Sequence, residues 1–215
     1  MIRTTALAAL LFLSSVDGQE TGNADAAPVS LAELAASADL VVLAQVKDTD
    51  YFMQRDIPVS GSAYFKVLIP YKAEGAPDIL EVYEKGLHPN ECYFPNPTVF
   101  EEGRRYLLFL VKDPEVANRY RGLPQGCALE VLVNDRNLYA LRYPVDGIAL
   151  SDPLDELAVE MKFSDSYAIT DDTELLPSNR DSMRDSGMIT SRGSGRWIYT
   201  RGILLSSVST YFTRR

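Results

Sequence analysis

The 215-residue chain has few of the residue types that build metal and redox centres, with one histidine and two cysteines. Structural zinc sites take four such ligands, so these residues are too few for a rich metal centre. The chain also lacks an excess of positive charge, since 30 acidic against 21 basic residues give a formal net charge of −9. Nucleic-acid binding needs clustered Lys and Arg to neutralise phosphates. The sequence therefore predicts no metal, no cofactor and no nucleic-acid partner.

Long apolar runs are missing as well. The run from Thr4 to Leu13 follows a single positive charge at Arg3, which is the layout of a secretory signal, and it is too short to span a bilayer. Cleavage after Gly18 fits the small residues there and at Val16, and a cut after Ala26 is the alternative. We expect residues 1–18 to be a signal peptide and the mature chain to be periplasmic or extracellular, without a transmembrane segment. A buried N-terminal helix is the competing interpretation.

Export changes how the two cysteines are interpreted. An even number of cysteines in an oxidising compartment favours a disulfide between Cys92 and Cys127. Closing a loop of that length contributes about 3–4 kcal/mol to stability on the chain-entropy model. The alternative is two free, buried thiols.

The middle of the chain has the pattern of a β protein. After a flexible lead-in over residues 19–29, Ser30 and Glu33 have the spacing of a capping box, which predicts a short helix. Apolar or alternating runs of strand length then follow at close spacing. These runs are Leu40–Val46, Ala63–Pro70, Asp78–Lys85, Tyr106–Val111, Leu129–Val133 and Leu138–Tyr143. Because no helical periodicity separates them, residues 30–150 are predicted to form an antiparallel barrel or sandwich.

The character of the chain changes beyond Gly147. A serine, an early proline and acidic residues from Ser151 onward predict a helix over residues 151–163. Residues 164–215 are expected to form a polar extension, of which 164–196 is weakly periodic and is predicted to be a linker or a partly disordered tail. Apolar content returns over 197–212, so this part is expected to form an added strand or an amphipathic end piece.

Two segments carry a resemblance to a known superfamily. Residues 34–42 (LAASADLVV) and 102–110 (EGRRYLLFL) resemble bacterial secreted proteins with the OB-like barrel of the netrin and metalloproteinase-inhibitor superfamily, over about residues 30–145. The resemblance implies a mainly β, five- to six-stranded antiparallel barrel with short flanking helices. Inhibitors of that superfamily place an N-terminal cysteine on the catalytic zinc. No cysteine lies near Gln19 or Ala27, so the resemblance implies the fold and not inhibition.

Two regions are candidates for ligand binding. The segment 86–97 combines His88, Tyr93 and Phe94 with prolines, and loops between barrel strands are where OB-type barrels hold ligands. The alternative is that Tyr93 and Phe94 cap the core. Zinc binding or catalysis by His88 is disfavoured, because no diagnostic spacing or nucleophile signature accompanies it.

The second candidate is Trp197, which lies among Arg192, Arg196, Arg201, Arg214, Arg215 and Tyr199. Such a surface binds anions, glycans or a partner, or else docks back on the acidic barrel.

No catalytic residue is identified from these patterns. The leading hypothesis is a secreted or periplasmic binding module that recognises protein or glycan through its barrel loops. One alternative is an exported hydrolase that uses dispersed carboxylates, which are Glu101, Glu102, Asp152, Asp155, Asp171, Asp172 and Glu174. The other is a structural subunit whose C-terminal segment pairs with the sheet edge of a neighbour.

Overall fold

The computed structural model describes residues 27–55, 57–73, 77–84, 100–175 and 177–213. The helices are α1 (Leu31–Ser37), α2 (Pro177–Asp185) and α3 (Leu205–Thr213). The strands are β1 (Leu40–Gln54), β2 (Ile57–Lys72), β3 (Ile79–Glu84), β4 (Arg105–Lys112), β5 (Arg119–Gly122), β6 (Ala128–Val133), β7 (Tyr139–Tyr143), β8 (Val159–Glu160), β9 (Ile169–Asp171), β10 (Ile189–Gly193), β11 (Arg196–Tyr199) and β12 (Arg201–Leu204).

Five strands close into a barrel in the order β1-β2-β3-β5-β4, and β4 returns to pair with β1. The closing pair is antiparallel and runs from Leu40 opposite Leu110 to Gln45 opposite Arg105. Only the short β3–β5 contact within this ring is parallel. The predicted mainly β, OB-like barrel is therefore confirmed.

The sheet continues outward from β4. Strand β5 pairs with the C-terminal end of β4, whereas β6 pairs with its N-terminal half, from Arg105 opposite Val131 to Leu108 opposite Ala128. Strands β7, β12 and β8 extend the sheet beyond β6. A separate three-stranded sheet has the order β10-β11-β9.

Two hydrophobic cores lie on opposite faces of β1 and β4. Val42 and Leu108 are buried inside the barrel with Phe65, whereas Val41 and Leu107 are buried on the outer face, under α1 and α3. Successive side chains of a strand point to opposite faces, so a strand that is buried on both sides is apolar throughout. This explains the continuous apolar runs in β1 and β4.

The predicted start of α1 is confirmed in detail. The hydroxyl of Ser30 accepts from the backbone N–H of Glu33 at 3.2 Å, and the Glu33 carboxylate accepts from the N–H of Ser30 at 2.8 Å. Asp152 accepts from the N–H of Leu31 at 2.7 Å. Three donors of the first turn are thus satisfied by side chains, which favours a helix of only seven residues.

The helix predicted over residues 151–163 is wrong. The segment makes one 3₁₀ turn, Leu154–Leu157, and then enters the sheet as β8. Val159 lies opposite Gly202 of β12, and the carbonyl of Ala158 accepts from the Arg201 side chain at 2.8 Å. Long-range partners therefore satisfy the backbone that a helix would have used, and tertiary pairing overrides the local signal.

The prediction of a linker or partly disordered tail over 164–196 is also wrong for the described residues, which form β9, α2 and β10. The expected strand and amphipathic end piece over 197–212 are both present. Strand β12 lies between β7 and β8, and α3 buries Leu205, Val208 and Phe212 in the outer core. The core therefore crosses the predicted domain boundary at residue 150. No helix within the described residues is long and apolar enough to cross a membrane.

Shortening a buried side chain of α3 tests whether the tail is integral to the fold. Phe212 packs edge-to-face on Tyr71, with ring centroids 4.7 Å apart. We expect Phe212→Ala to lower the free energy of unfolding by about 3–5 kcal/mol, because it removes a large core side chain. The control is Ser206→Ala on the exposed side of α3, and urea unfolding is the measurement. Equal stability of the two variants would show that α3 is dispensable.

Candidate functional site

Most of the residues predicted for ligand binding lie outside the described residues. These are His88, Tyr93 and Phe94. Cys92 of the predicted disulfide and the predicted signal segment 1–18 also lie outside the described residues. The hypothesis of a binding loop over 86–97 therefore stays a prediction. The described residues on either side of this segment, Glu84 and Phe100, are both buried.

The barrel interior near Phe100 is filled by aromatic side chains. The rings of Phe65, Phe100 and Tyr106 meet edge-to-face, with centroids 4.8 Å (Phe65–Phe100) and 5.0 Å (Phe100–Tyr106) apart. Burial raises the pKa of Tyr106, and burial and the charge of Glu84 together raise the pKa of Tyr51. Both phenols thus stay neutral donors. The described side chains leave this part of the interior occupied, so a ligand would bind on the outside.

A long hairpin continues past the strand pairs that close this barrel, although Tyr51 at its base still packs on the barrel core. The β1–β4 pairing ends at Gln45 and the β2–β3 pairing ends at Gly61, whereas β1 and β2 pair with each other as far as Gln54 and Ile57. We name residues 51–60 the β1–β2 arm. At its base the strands approach closely, because a Cβ at Gly61 would lie 2.3 Å from the carbonyl oxygen of Asp50. Only glycine fits there.

The arm carries exposed apolar side chains. Phe52 is 66% exposed and Met53 is 49% exposed. Because the two residues are consecutive in β1, their side chains lie on opposite faces of the hairpin, and each is a large apolar group exposed to water. The sequence pattern did not reveal this feature, since β1 was predicted to end at Val46. Acidic residues at positions 48 and 50 have low strand propensity and hid the continuation.

Trp197, the remaining candidate, lies in the small sheet on β11. Its indole N–H donates to Asp172 at 2.7 Å, and Arg180 of α2 pairs with the same carboxylate at 3.1 Å. The guanidinium of Arg180 lies 5.9 Å from the centroid of a Trp197 ring. Trp197 therefore joins the small sheet to α2. It also lines a surface cleft of about 760 Å³ with Arg184 and other residues.

Of the arginines predicted to accompany Trp197, Arg201 lines the same cleft. Arg201 also donates to a backbone carbonyl and lies 6.0 Å from the Tyr143 ring, in the extended barrel sheet. Arg192 and Arg196 are exposed on the small sheet, and positions 214 and 215 lie outside the described residues. Ligand binding at Trp197 therefore stays a prediction.

Most of the carboxylates that a hydrolase would use already have partners. Glu101 pairs with Arg104, Asp152 caps α1, Asp171 accepts from Thr173, Asp172 holds Trp197 and Arg180, and Glu174 accepts from Thr170. Within the described part of the chain, no group of three or more His, Cys, Asp or Glu side chains is placed to hold a metal ion.

Comparison with protein-family models, curated proteins and solved structures found no match. The resemblance to the netrin and metalloproteinase-inhibitor superfamily therefore stays a hypothesis. The assignment of a closed barrel rests on the strand order described above and not on this resemblance.

The single tryptophan reports on its contact with Asp172. The hydrogen bond from Trp197 and the ion pair with Arg180 hold the pKa of Asp172 below its usual value. The stability that this contact contributes is present above the unfolded-state pKa and is lost as pH falls through the lower, folded-state pKa. We expect the fluorescence of Trp197 to change with a midpoint below pH ~3.9, the ordinary aspartate value.

The measurement is an acid titration of fluorescence beside far-UV circular dichroism, which separates the local change from unfolding. Asp172→Asn is the control and should remove the transition. A midpoint at or above the ordinary aspartate value, or a transition that persists in Asp172→Asn, would contradict the assignment.

Proposed function

We propose that this chain is an exported binding module that recognises a protein partner through the β1–β2 arm. The observation that carries the proposal is the exposure of Phe52 and Met53 on a hairpin that extends beyond the closed barrel. Large apolar and aromatic side chains are the usual anchors of protein interfaces, because their burial on association releases much apolar surface.

The arm suits recognition because its two strands are already paired before binding. Its two strands pair from Tyr51 opposite Gly61 to Gln54 opposite Ile57, and they continue directly into the barrel. Ordering of flexible segments reduces binding affinity, so a paired hairpin on a rigid base presents its anchors at low entropic cost.

The alternatives have less support. A subunit that adds its C-terminal strand to a neighbour needs an unpaired edge, whereas β12 has β7 on one side and β8 on the other. A carboxylate hydrolase needs two acidic groups about 5–9 Å apart across a cleft and free to act. The partnered carboxylates described above favour structural roles instead, so the proposal includes no catalytic group.

Export and a Cys92–Cys127 disulfide belong to the same proposal. Cys127 is buried, and the described part of the chain contains no free cysteine. We expect protein purified from the exported fraction to begin at Gln19 and to show no thiol that alkylates in denaturant unless a reductant is added. Mass spectrometry measures both. A retained leader, or alkylation without reduction, would contradict this part of the proposal.

A crosslinking experiment tests the arm directly. A photoreactive benzoylphenylalanine is placed at position 52, which keeps an aromatic side chain there, and the exported protein is irradiated in its native extract. We expect one dominant crosslinked protein, because the reactive group lies in the interface. The control places the same group at position 138, where Leu138 is 47% exposed and lies outside the arm.

The captured protein must also depend on the natural side chains. We expect the double substitution Phe52→Ser and Met53→Ser to weaken its binding by at least tenfold, because two interface anchors are lost. Leu138→Ser should leave the affinity unchanged. Crosslinks that are the same from positions 52 and 138, or affinity that survives the double substitution, would refute the arm as the binding site.

A further inference from the structure

A cleft of about 550 Å³ lies where the extended barrel sheet faces the small sheet and α2. This size is within the range of small-ligand pockets. None of its lining residues belongs to the β1–β2 arm. The charged and amide side chains that line the cleft are Arg104, Arg142, Asp146, Glu174 and Asn179, and the rings of Tyr167 and Tyr199 form part of its wall.

One carboxylate fixes the two arginines of this cleft. Glu130 of β6 accepts from Arg104 at 2.6 Å through one oxygen and from Arg142 at 2.9 Å through the other. The three side chains are only 10–13% exposed. Burial lowers the pKa of each arginine, but Glu130 and the other acidic and phenolic groups nearby together raise it by more, so the pKa of both is raised and both remain charged.

The guanidinium groups are also stacked on the aromatic walls. Arg104 lies 5.1 Å from the centroid of the Tyr167 ring, and Arg142 lies 4.9 Å from that of Tyr199. Such contacts add to the ion pairs and restrict the side-chain rotamers. The hydrogen-bond donors of the cleft are therefore held in place before any ligand arrives.

One of these donors has no acceptor. The Nε–H of Arg142 is buried, and no atom of the described residues accepts a hydrogen bond from it. Leaving a buried donor unsatisfied costs free energy, more so when the group is charged. Because this nitrogen is itself buried beneath the cleft wall, a ligand in the cleft does not reach it, and the unsatisfied donor marks a local conflict within the charged cluster.

The charge balance decides the class of ligand. The cleft wall carries two arginines and two carboxylates, Asp146 and Glu174, while Glu130 and Glu101 neutralise the arginines from behind. An anion would find the positive charges already compensated. A hydroxyl group both donates and accepts, so it matches a wall on which donors and acceptors lie side by side.

We propose that this cleft binds a neutral oligosaccharide. Asp146 accepts from a sugar hydroxyl, and the Asn179 side-chain amide donates to or accepts from another. The exposed position of Asp146 and Asn179 puts them at the mouth of the cleft. This site is independent of protein binding by the arm.

The first experiment screens the mature protein on an array of neutral, sialylated and uronic-acid oligosaccharides. We expect neutral oligosaccharides to bind and acidic ones to bind no better. Titration calorimetry with the best neutral oligosaccharide then measures the affinity of variants. Asp146→Ala and Asn179→Ala should each weaken binding by about tenfold, since each loses a direct hydrogen bond. Both positions are exposed, so unfolding curves should match the wild type.

Asp185→Ala is the matched control, because Asp185 is exposed and pairs with an arginine, Arg184, outside the cleft. It should bind like the wild type. In nuclear magnetic resonance spectra, the side-chain amide signals of Asn179, identified by their loss in Asn179→Ala, should shift when the oligosaccharide is added. Three outcomes would overturn the proposal: only acidic oligosaccharides bind, no oligosaccharide on the array binds, or both cleft variants keep the affinity of the wild type. A variant with Phe52→Ser should keep its oligosaccharide affinity, which separates this result from that of the arm.

Discussion

Burial of β4 on both faces is the constraint on which the rest of the structure depends. Leu107 and Phe109 point into the outer core, whereas Leu108 and Leu110 point into the barrel, and none of the four is exposed. The same strand pairs with β1, β5 and β6. It therefore closes the barrel and carries the extended sheet at once, and a change in its register would move apolar side chains from one core to the other and disrupt both.

The aromatic packing of the barrel interior favours recognition on the outer surfaces. Interiors pack at the density of organic crystals, and Phe65, Phe100 and Tyr106 fill the described part of this one. The two candidate surfaces are attached to paired strands. The arm continues β1 and β2, and the cleft is lined by Arg142 of β7, which pairs with β6 and β12. Both candidate surfaces thus take their rigidity from the same sheet.

Local signals in the sequence predicted the local parts of this fold. The capping box at Ser30 and the hairpin turn after β6 involve neighbours in the chain, and in that turn Asn134 accepts from the N–H groups of Arg136 and Leu138 at 2.9 Å. Strands β10 and β11 form a local hairpin, which the polar composition of β10 hid. Strands β8 and β9 were missed because their partners, β12 and β11, are distant in the sequence. The bridge from Glu130 to the two arginines was missed for the same reason, since an alternating strand pattern assigns Glu130 only to the polar face.

The energetic character of that bridge supports a binding role for the cleft. Desolvation offsets most of the attraction within a buried ion pair, and apolar residues of similar volume are often at least as stabilising. Strands β6 and β7 are otherwise rich in leucine, valine and alanine, so an apolar side chain at Glu130 or Arg142 would suit the sheet. The charged cluster contains one unsatisfied donor and therefore lowers the local stability of the sheet. Features that lower stability in this way are expected at functional sites. The same reasoning applies to Phe52, whose exposure costs solubility and gains nothing for the barrel.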